Sequence, residues 1–368
     1  MFSIFMPLRF SLCCSWVVAA SFLSLAASQV TADEIADFYA GKRLTMVVGS
    51  AGGTGAYDAY ARLLSRNIVR HLPGAPQIIV QNRPGAGSIT AINYVYNVAA
   101  QDGTVLLALN RTAPFMQILG LDSAQFESTK LNWLGSLYEA IGVLAVTNES
   151  SVKTLADARE AQVIIGATSP GTDSVIFPAL LNNTLGTKLK IVQGYKGLEE
   201  VFLASMRGEI GGQQSSLDFF QRAIPDWRTK TSILVQFGLR KHSDILEVPL
   251  VFDYLDAKWL SPGFTVDEAI TLWRFILSQT TMGHPFAMGP DAPAKRVSAM
   301  RKAFDAMLSD PRFIAEAAKS QLTIKPINGE AVEDLVKQAA ATPHALLQKL
   351  KMEINYRGDP LTSVPPRK

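Results

Sequence analysis

The residues of this chain that could do chemistry are mostly small ones. Two glycine-rich turns stand out, Gly49-Ser-Ala-Gly-Gly-Thr-Gly-Ala-Tyr-Asp58 and Gln81-Asn-Arg-Pro-Gly-Ala-Gly-Ser88. A third small-residue turn, Ala167-Thr-Ser-Pro-Gly-Thr-Asp173, lies further on. Each follows a short apolar run and leads into a helical pattern. Such turns leave backbone N–H groups bare at a helix start, where the dipole is positive, so their chemistry is anion binding. Asp58 and Asp173 stand in first helical turns, where a carboxylate caps N–H groups. Asp58 could also receive an amino group of a ligand. Arg83 and Arg111 each follow a strand end and are within reach of an anion, or pair locally. Tyr195, between Gly194 and Gly197, either closes over a ligand or packs the fold.

Other chemistries lack their residues. His71, His242, His284 and His344 are scattered without metal-ligand spacing, so no metal site is expected. No Gly-x-Ser-x-Gly elbow, P-loop or His-Glu-x-x-His occurs. Gly53-Thr-Gly55 resembles the start of a dinucleotide fingerprint, but Asp58 stands where the third glycine belongs. The second strand ends Gln81-Asn82 with no acid for a ribose. No cofactor is expected.

These turns must be held by strands and helices. Leu44–Val48, Ile78–Val80 and Val105–Leu109 read as strands separated by amphipathic helices, one carrying Tyr60, Leu63, Leu64 and Ile68. Short apolar strands alternating with helices predict a parallel sheet with right-handed crossovers. A second such block follows, with strands at Gly142–Thr147, Gln162–Gly166, Lys190–Val192 and Ile233–Phe237. Four helices close the chain, from Ala292 to Ile354. The expected architecture is two α/β lobes facing each other across a cleft: 33–138 in the first lobe, 139–228 in the second, and 229–368 returning to the first.

The 368 residues are 48% hydrophobic and 18% charged, with a formal net charge of +3, too weak and unpatterned for nucleic acid. Residues 1–32 differ from the rest. Arg9 precedes an apolar run from Ser11 to Ala27, and Val30-Thr-Ala32 precedes Asp33-Glu34. This predicts a secretory signal peptide cut after Ala32 and a periplasmic location. Both cysteines, Cys13 and Cys14, fall inside that leader. A monomer is expected.

The motifs resemble those of the tripartite tricarboxylate transporter receptors, the TctC or Bug family. The resemblance rests on strand–Gly-Gly–Tyr-Asp–Ala-Arg (Val47 to Arg62), Gln-Asn-Arg-Pro-Gly-Ala-Gly (Gln81 to Gly87) and Gln-Asp-Gly-Thr (Gln101 to Thr104). It continues through Gly166 to Asp173, Gly194 to Gly197 and the Gly208-Glu209 turn, covering nearly the whole chain after the leader. It implies a class II periplasmic binding fold with a hinge and a central cleft. It implies a small mono- or dicarboxylate or amino acid as ligand, delivered to a membrane permease or a sensor protein, and no catalysis. By position, the ligand loops would be Ser50, Ala51, Gly52, Gly53, Thr54, Gly55, Ala56 and Tyr57 with Asp58, then Pro84, Gly85, Ala86, Gly87 and Ser88. Ser169, Gly171, Thr172 and Asp173 would face them, with Tyr195 and Asp218 nearer the cleft edge and Arg111 at the sheet edge. The alternative is an exported α/β enzyme or a nucleotide-type cofactor-binding protein. This chain has Ser50-Ala51 where many relatives have proline, and a longer first turn.

Overall fold

The structure, a computed structural model, describes residues 34–53, 55–168, 172–195 and 197–353. The expected leader and the chain end lie outside them, as do Thr54, Ser169 and Gly171. Among the described residues no helix is long and apolar enough to cross a membrane.

In chain order the strands are β1 (Arg43–Val48), β2 (Gln77–Asn82), β3 (Val105–Ala108), β4 (Asn132–Ser136), β5 (Gly142–Thr147) and β6 (Val163–Gly166). There follow β7 (Leu189–Val192), β8 (Gly212–Ser216), β9 (Thr231–Phe237), β10 (Pro285–Met288) and β11 (Ile327–Asn328). They form two sheets, ordered β11-β4-β10-β3-β1-β2 and β7-β6-β8-β5-β9.

The two sheets repeat one plan. Each has a parallel trio, β2-β1-β3 and β7-β6-β8, flanked by an antiparallel strand, β10 beside β3 and β5 beside β8. The expected parallel sheets are therefore mixed. The antiparallel strand in each sheet comes from a crossing of the chain. The link 137–141 carries it from β4 into β5, and residues 238–284 carry it back from β9 to β10. Strand β9 pairs with β5, so the second sheet runs on to Phe237. An antiparallel neighbour starts where a parallel strand ends: Phe286 lies opposite Ala108 and Gly142 opposite Ser216. Both sheets thus bring loop ends together at the strand C-termini, the usual ligand edge of such sheets.

Local sequence explains the elements. In β1, Leu44, Met46 and Val48 face one buried cluster and Val47 the other, so both faces are covered, as a parallel strand requires. The helix Ala56–Ile68 buries Tyr60, Leu63, Leu64 and Ile68 and points Arg62 and Arg66 outward. The helix Val266–Thr281 starts at a capping box: Thr265 Oγ1 accepts from the Glu268 N–H (3.2 Å), and Glu268 accepts from the Thr265 N–H (3.0 Å). Its Trp273 is fully buried, stacks on Phe237 at 5.7 Å and donates its ring N–H to Thr184 Oγ1 at 3.2 Å. One apolar cluster holds Val47, Leu107 and Trp133 of the first sheet together with Leu144, Ile165 and Val235 of the second. The lobes are thus joined through a shared core that includes the crossing helix.

Candidate functional site

The first turn is organised by Asp58, which is 3% exposed. Its carboxylate accepts from the Gly53 N–H (2.9 Å), Arg62 Nε (2.8 Å) and Asn82 Nδ2 (2.8 Å). Asn82 also donates to the Ser50 carbonyl at 2.9 Å and accepts from Arg62 Nη2 at 3.1 Å. Asp58 therefore fastens the turn to the end of β2 and does not line the cleft. Burial pushes its carboxyl pKa up, but the bonds from Arg62, Asn82 and Gly53 outweigh burial and hold it below the ordinary value of 3.8. A lowered folded pKa means that its stabilisation is intact above the unfolded value and is lost as pH falls through the folded one. Asp58→Ala strands three donors and lowers stability by about 1–3 kcal/mol at neutral pH. Below about pH 4 the gap to the wild type narrows. Melting curves across pH check this; a gap that stays constant down to strong acid contradicts it.

The second turn is a support as well. Pro84, Gly85, Ala86 and Gly87 are exposed, and Arg83 stacks on the Tyr94 ring, 3.7 Å from its centre. Gly85 to Ser88 all have positive φ, and Ala86 (44°) and Ser88 (82°) are in the left-handed region that favours glycine. Buried Ser88 is held there by donating to the Gly49 carbonyl (3.0 Å) and accepting from the Asn110 N–H (2.9 Å). A Cβ on Gly49 would lie 2.3 Å from Ser88 Oγ, which is why a glycine follows β1. The turn thereby fixes the loop after β3, which does face the cleft.

A cavity of about 390 Å³ lies between the lobes. Of the sequence-predicted residues, Ala56, Tyr57, Arg111, Thr172, Asp173 and Asp218 line it. The described remainder of the first turn, Ser50, Ala51, Gly52, Gly53 and Gly55, and the second turn do not. Tyr195 packs in the second lobe against Val201, Ala204 and Ile210. Thr112, Tyr138, Gly142, Leu198 and His284 complete much of the wall, and Asn110, Thr168, Ser174, Gln214, Ser215 and Ser216 add polar groups. Tyr138, Gln214, Ser215, Ser216 and His284 have no strand pattern to place them, because they sit in β8, at the crossing after β4 and at the entry to β10, whereas Thr112, beside Arg111, stands at the readable end of β3. Ser215-Ser216 before Leu217-Asp218 did carry a signal, a serine cap opening a helix; Ser216 Oγ accepts from the Phe219 N–H at 3.1 Å.

Arg111 and Asp173 meet across the cleft, Nη2 against Oδ2. Burial works to lower the Arg111 pKa, but the Asp173 carboxylate and the Tyr57 hydroxyl raise it, so the guanidinium stays charged. The backbone N–H of Arg111 donates to Tyr57 Oη at 3.3 Å. Burial raises the Tyr57 hydroxyl pKa against the opposing pull of Arg111, so the phenol remains neutral. The Tyr57 ring sits edge-on to His284 at 4.8 Å, and His284 stacks on Tyr60 at 4.0 Å.

The opposite wall is the start of the helix Asp173–Leu185. Thr168, Thr172 and Ser174 form a hydroxyl cluster there, with Thr172 and Ser174 oxygens 2.8 Å apart and Thr168 3.3 Å from each. The helix Ala56–Ile68 starts across the cavity from it, behind Gly55 with no side-chain cap. Two helix starts, a guanidinium and a bank of hydroxyls can hold an oxyanion without moving a bond. Among the described residues no group of three or more histidines, cysteines or acids is placed to hold a metal.

No protein-family model matches the sequence, and no curated protein matches it significantly. Solved structures do match. A TctC solute-binding protein from Polaromonas, solved without ligand, gives a TM-score of 0.63 at 16% identity over 83% of this chain and 98% of that one. A protein from R. palustris solved with adipate gives 0.57 at 15% identity over 85% and 98%. MatC from Rhodopseudomonas palustris, solved with malate, gives 0.54 at 16% identity over 85% and 99%. Identity this low speaks for fold and leaves function to the site. This chain has the two-lobed α/β fold of the TctC-type periplasmic binding proteins.

Proposed function

We propose that this protein is a periplasmic receptor that captures a small carboxylate between its lobes and hands it to a membrane permease of the tripartite tricarboxylate type, or to a sensor protein. The observation that carries this is the convergence of Arg111 and two helix starts on one cavity between two lobes. The structural neighbours solved with adipate and malate support it. In this reading the chain is exported with removal of residues 1–32, acts as a monomer and does no chemistry. The lobes turn about the two crossings, 137–141 and 238–284. A nucleotide-type site is not favoured, because both oxygens of Asp58 are taken up in bracing the turn that would have to cradle phosphate.

Thermal melting of the exported form against a panel of mono- and dicarboxylates and amino acids tests the proposal. A true ligand at 100 times its dissociation constant adds about 2.7 kcal/mol and raises the melting temperature visibly. No shift with any carboxylate, together with turnover of an ester or alcohol, would move the chain to the exported enzymes.

A further inference from the structure

We infer that the cleft is built for a zwitterion, a ligand with one carboxylate and one cationic nitrogen, in preference to a dicarboxylate. This deepens the proposed carboxylate-receptor function and rests on it.

The argument starts from charge. Among the described residues, the wall carries one arginine, Arg111, against two carboxylates, Asp173 and Asp218. His284, packed among tyrosine rings, is the other ionisable base there; even protonated, it would bring the wall only to balance. Arg111 is also already engaged by Asp173. A ligand carboxylate that takes the Nη2 edge of the guanidinium competes with Asp173 for it. The other oxygen of Asp173, Oδ1, is shut off from solvent and has no hydrogen-bond partner. Displacement by a bare anion therefore leaves an aspartate in a half-closed site with nothing to balance it, an arrangement that is strongly disfavoured.

A dicarboxylate makes this worse. It brings two negative charges to a cleft with one guanidinium and two acids. A zwitterion makes an even exchange: its carboxylate replaces Asp173 on Arg111 and faces the helix starts, while its ammonium replaces Arg111 on Asp173. Charge in the cleft is then unchanged by binding, and both halves of the ion pair keep a partner of opposite sign. Asp173 is thus the specificity residue, the one that decides between a second carboxylate and a cationic group.

The test is calorimetric titration of the exported form with ligands matched in length. Adipate is compared with ε-aminocaproate, succinate with γ-aminobutyrate, and L-leucine with isocaproate, its amine-free analogue. The tightest zwitterion should bind at least about tenfold more tightly than its dicarboxylate or amine-free partner. Asp173→Asn should abolish that preference, weakening the zwitterion by about tenfold or more while the dicarboxylate holds or gains. Lys196→Ala, at a position outside the described residues, should leave the preference in place. A dicarboxylate that outbinds its matched zwitterion on the wild type overturns the inference, as does a preference that survives in folded Asp173→Asn or vanishes in Lys196→Ala. If Asp173→Asn does not fold, the wild-type pairs decide alone. Binding of dicarboxylates only would sink this inference and spare the receptor function; binding of no carboxylate at all would sink both.

Discussion

Arg111→Met should weaken ligand binding by about 2–5 kcal/mol, roughly 30-fold or more, and destabilise the empty protein as well. Both effects follow from one geometry. Arg111 is the single arginine on the wall of the cavity among the described residues, and it is held by Asp173 from the opposite lobe. Removing it takes away the cation that a carboxylate needs and leaves Asp173 uncompensated. Breaking a buried pair by deleting one partner typically costs about 3–5 kcal/mol, and the partial exposure of this pair, 19% and 17%, places it toward the lower end. The two effects can be separated. In Arg111→Met combined with Asp173→Leu no charge is stranded, so stability should largely recover while binding stays lost. Urea unfolding and calorimetry on the wild type and these two variants read this out. Binding that survives in the single variant, or that returns with stability in the double one, contradicts the assignment of Arg111 to the ligand.

Trp273→Ala should cost about 3–5 kcal/mol of stability, enough to unfold a marginal domain. The indole is fully buried, lies parallel to Phe237 with an interplanar angle of 7°, and spends its only donor on Thr184. It fastens the helix that crosses between lobes to the second of them, so the cavity left by alanine opens inside the core that both lobes share. Trp273→Phe keeps most of the packing and loses the hydrogen bond, and should cost markedly less. A loss below about 1 kcal/mol in Trp273→Ala would mean that this core relaxes around the gap, against the present account of how the lobes are joined.

Much of this fold is legible in the sequence wherever a parallel strand meets a helix. The runs in β1, β2, β3, β6 and β7 alternate with helices, amphipathic in the first lobe and buried nearly all round at Asp173–Leu185, and end in turn residues, so the alternation marks them. The strands without a local signal are β4, β8, β10 and the two-residue β11. Asn132-Trp-Leu-Gly-Ser136 and Gly212-Gln-Gln-Ser-Ser216 are too polar or too small to look like buried strands, and Pro285 makes β10 read as a loop. Their register comes from pairing with distant strands, which no local pattern encodes. The site divides in the same way. Tyr57, Arg111, Thr172 and Asp173 stand after readable strands, and Asp218 is marked by the serine cap that opens its helix. Ser215 lies in β8, and Tyr138 and His284 flank β4 and β10, strands without a local pattern.

The glycine turns that stand out in the sequence brace the loops beside the cavity. Asp58 and Asn82 lock the first turn, and Ser88 carries the second turn's constraint to Asn110. Their spacing is informative because bracing a loop demands fixed residue types, whereas a wall that works through backbone N–H groups and hydroxyls tolerates many.

Native mass spectrometry of the protein purified from its exported fraction tests the central claim most directly. A small carboxylate should travel with the wild type and be absent from folded Arg111→Met. A nucleotide in its place, or the same adduct at the same occupancy in both proteins, would contradict a carboxylate site at Arg111.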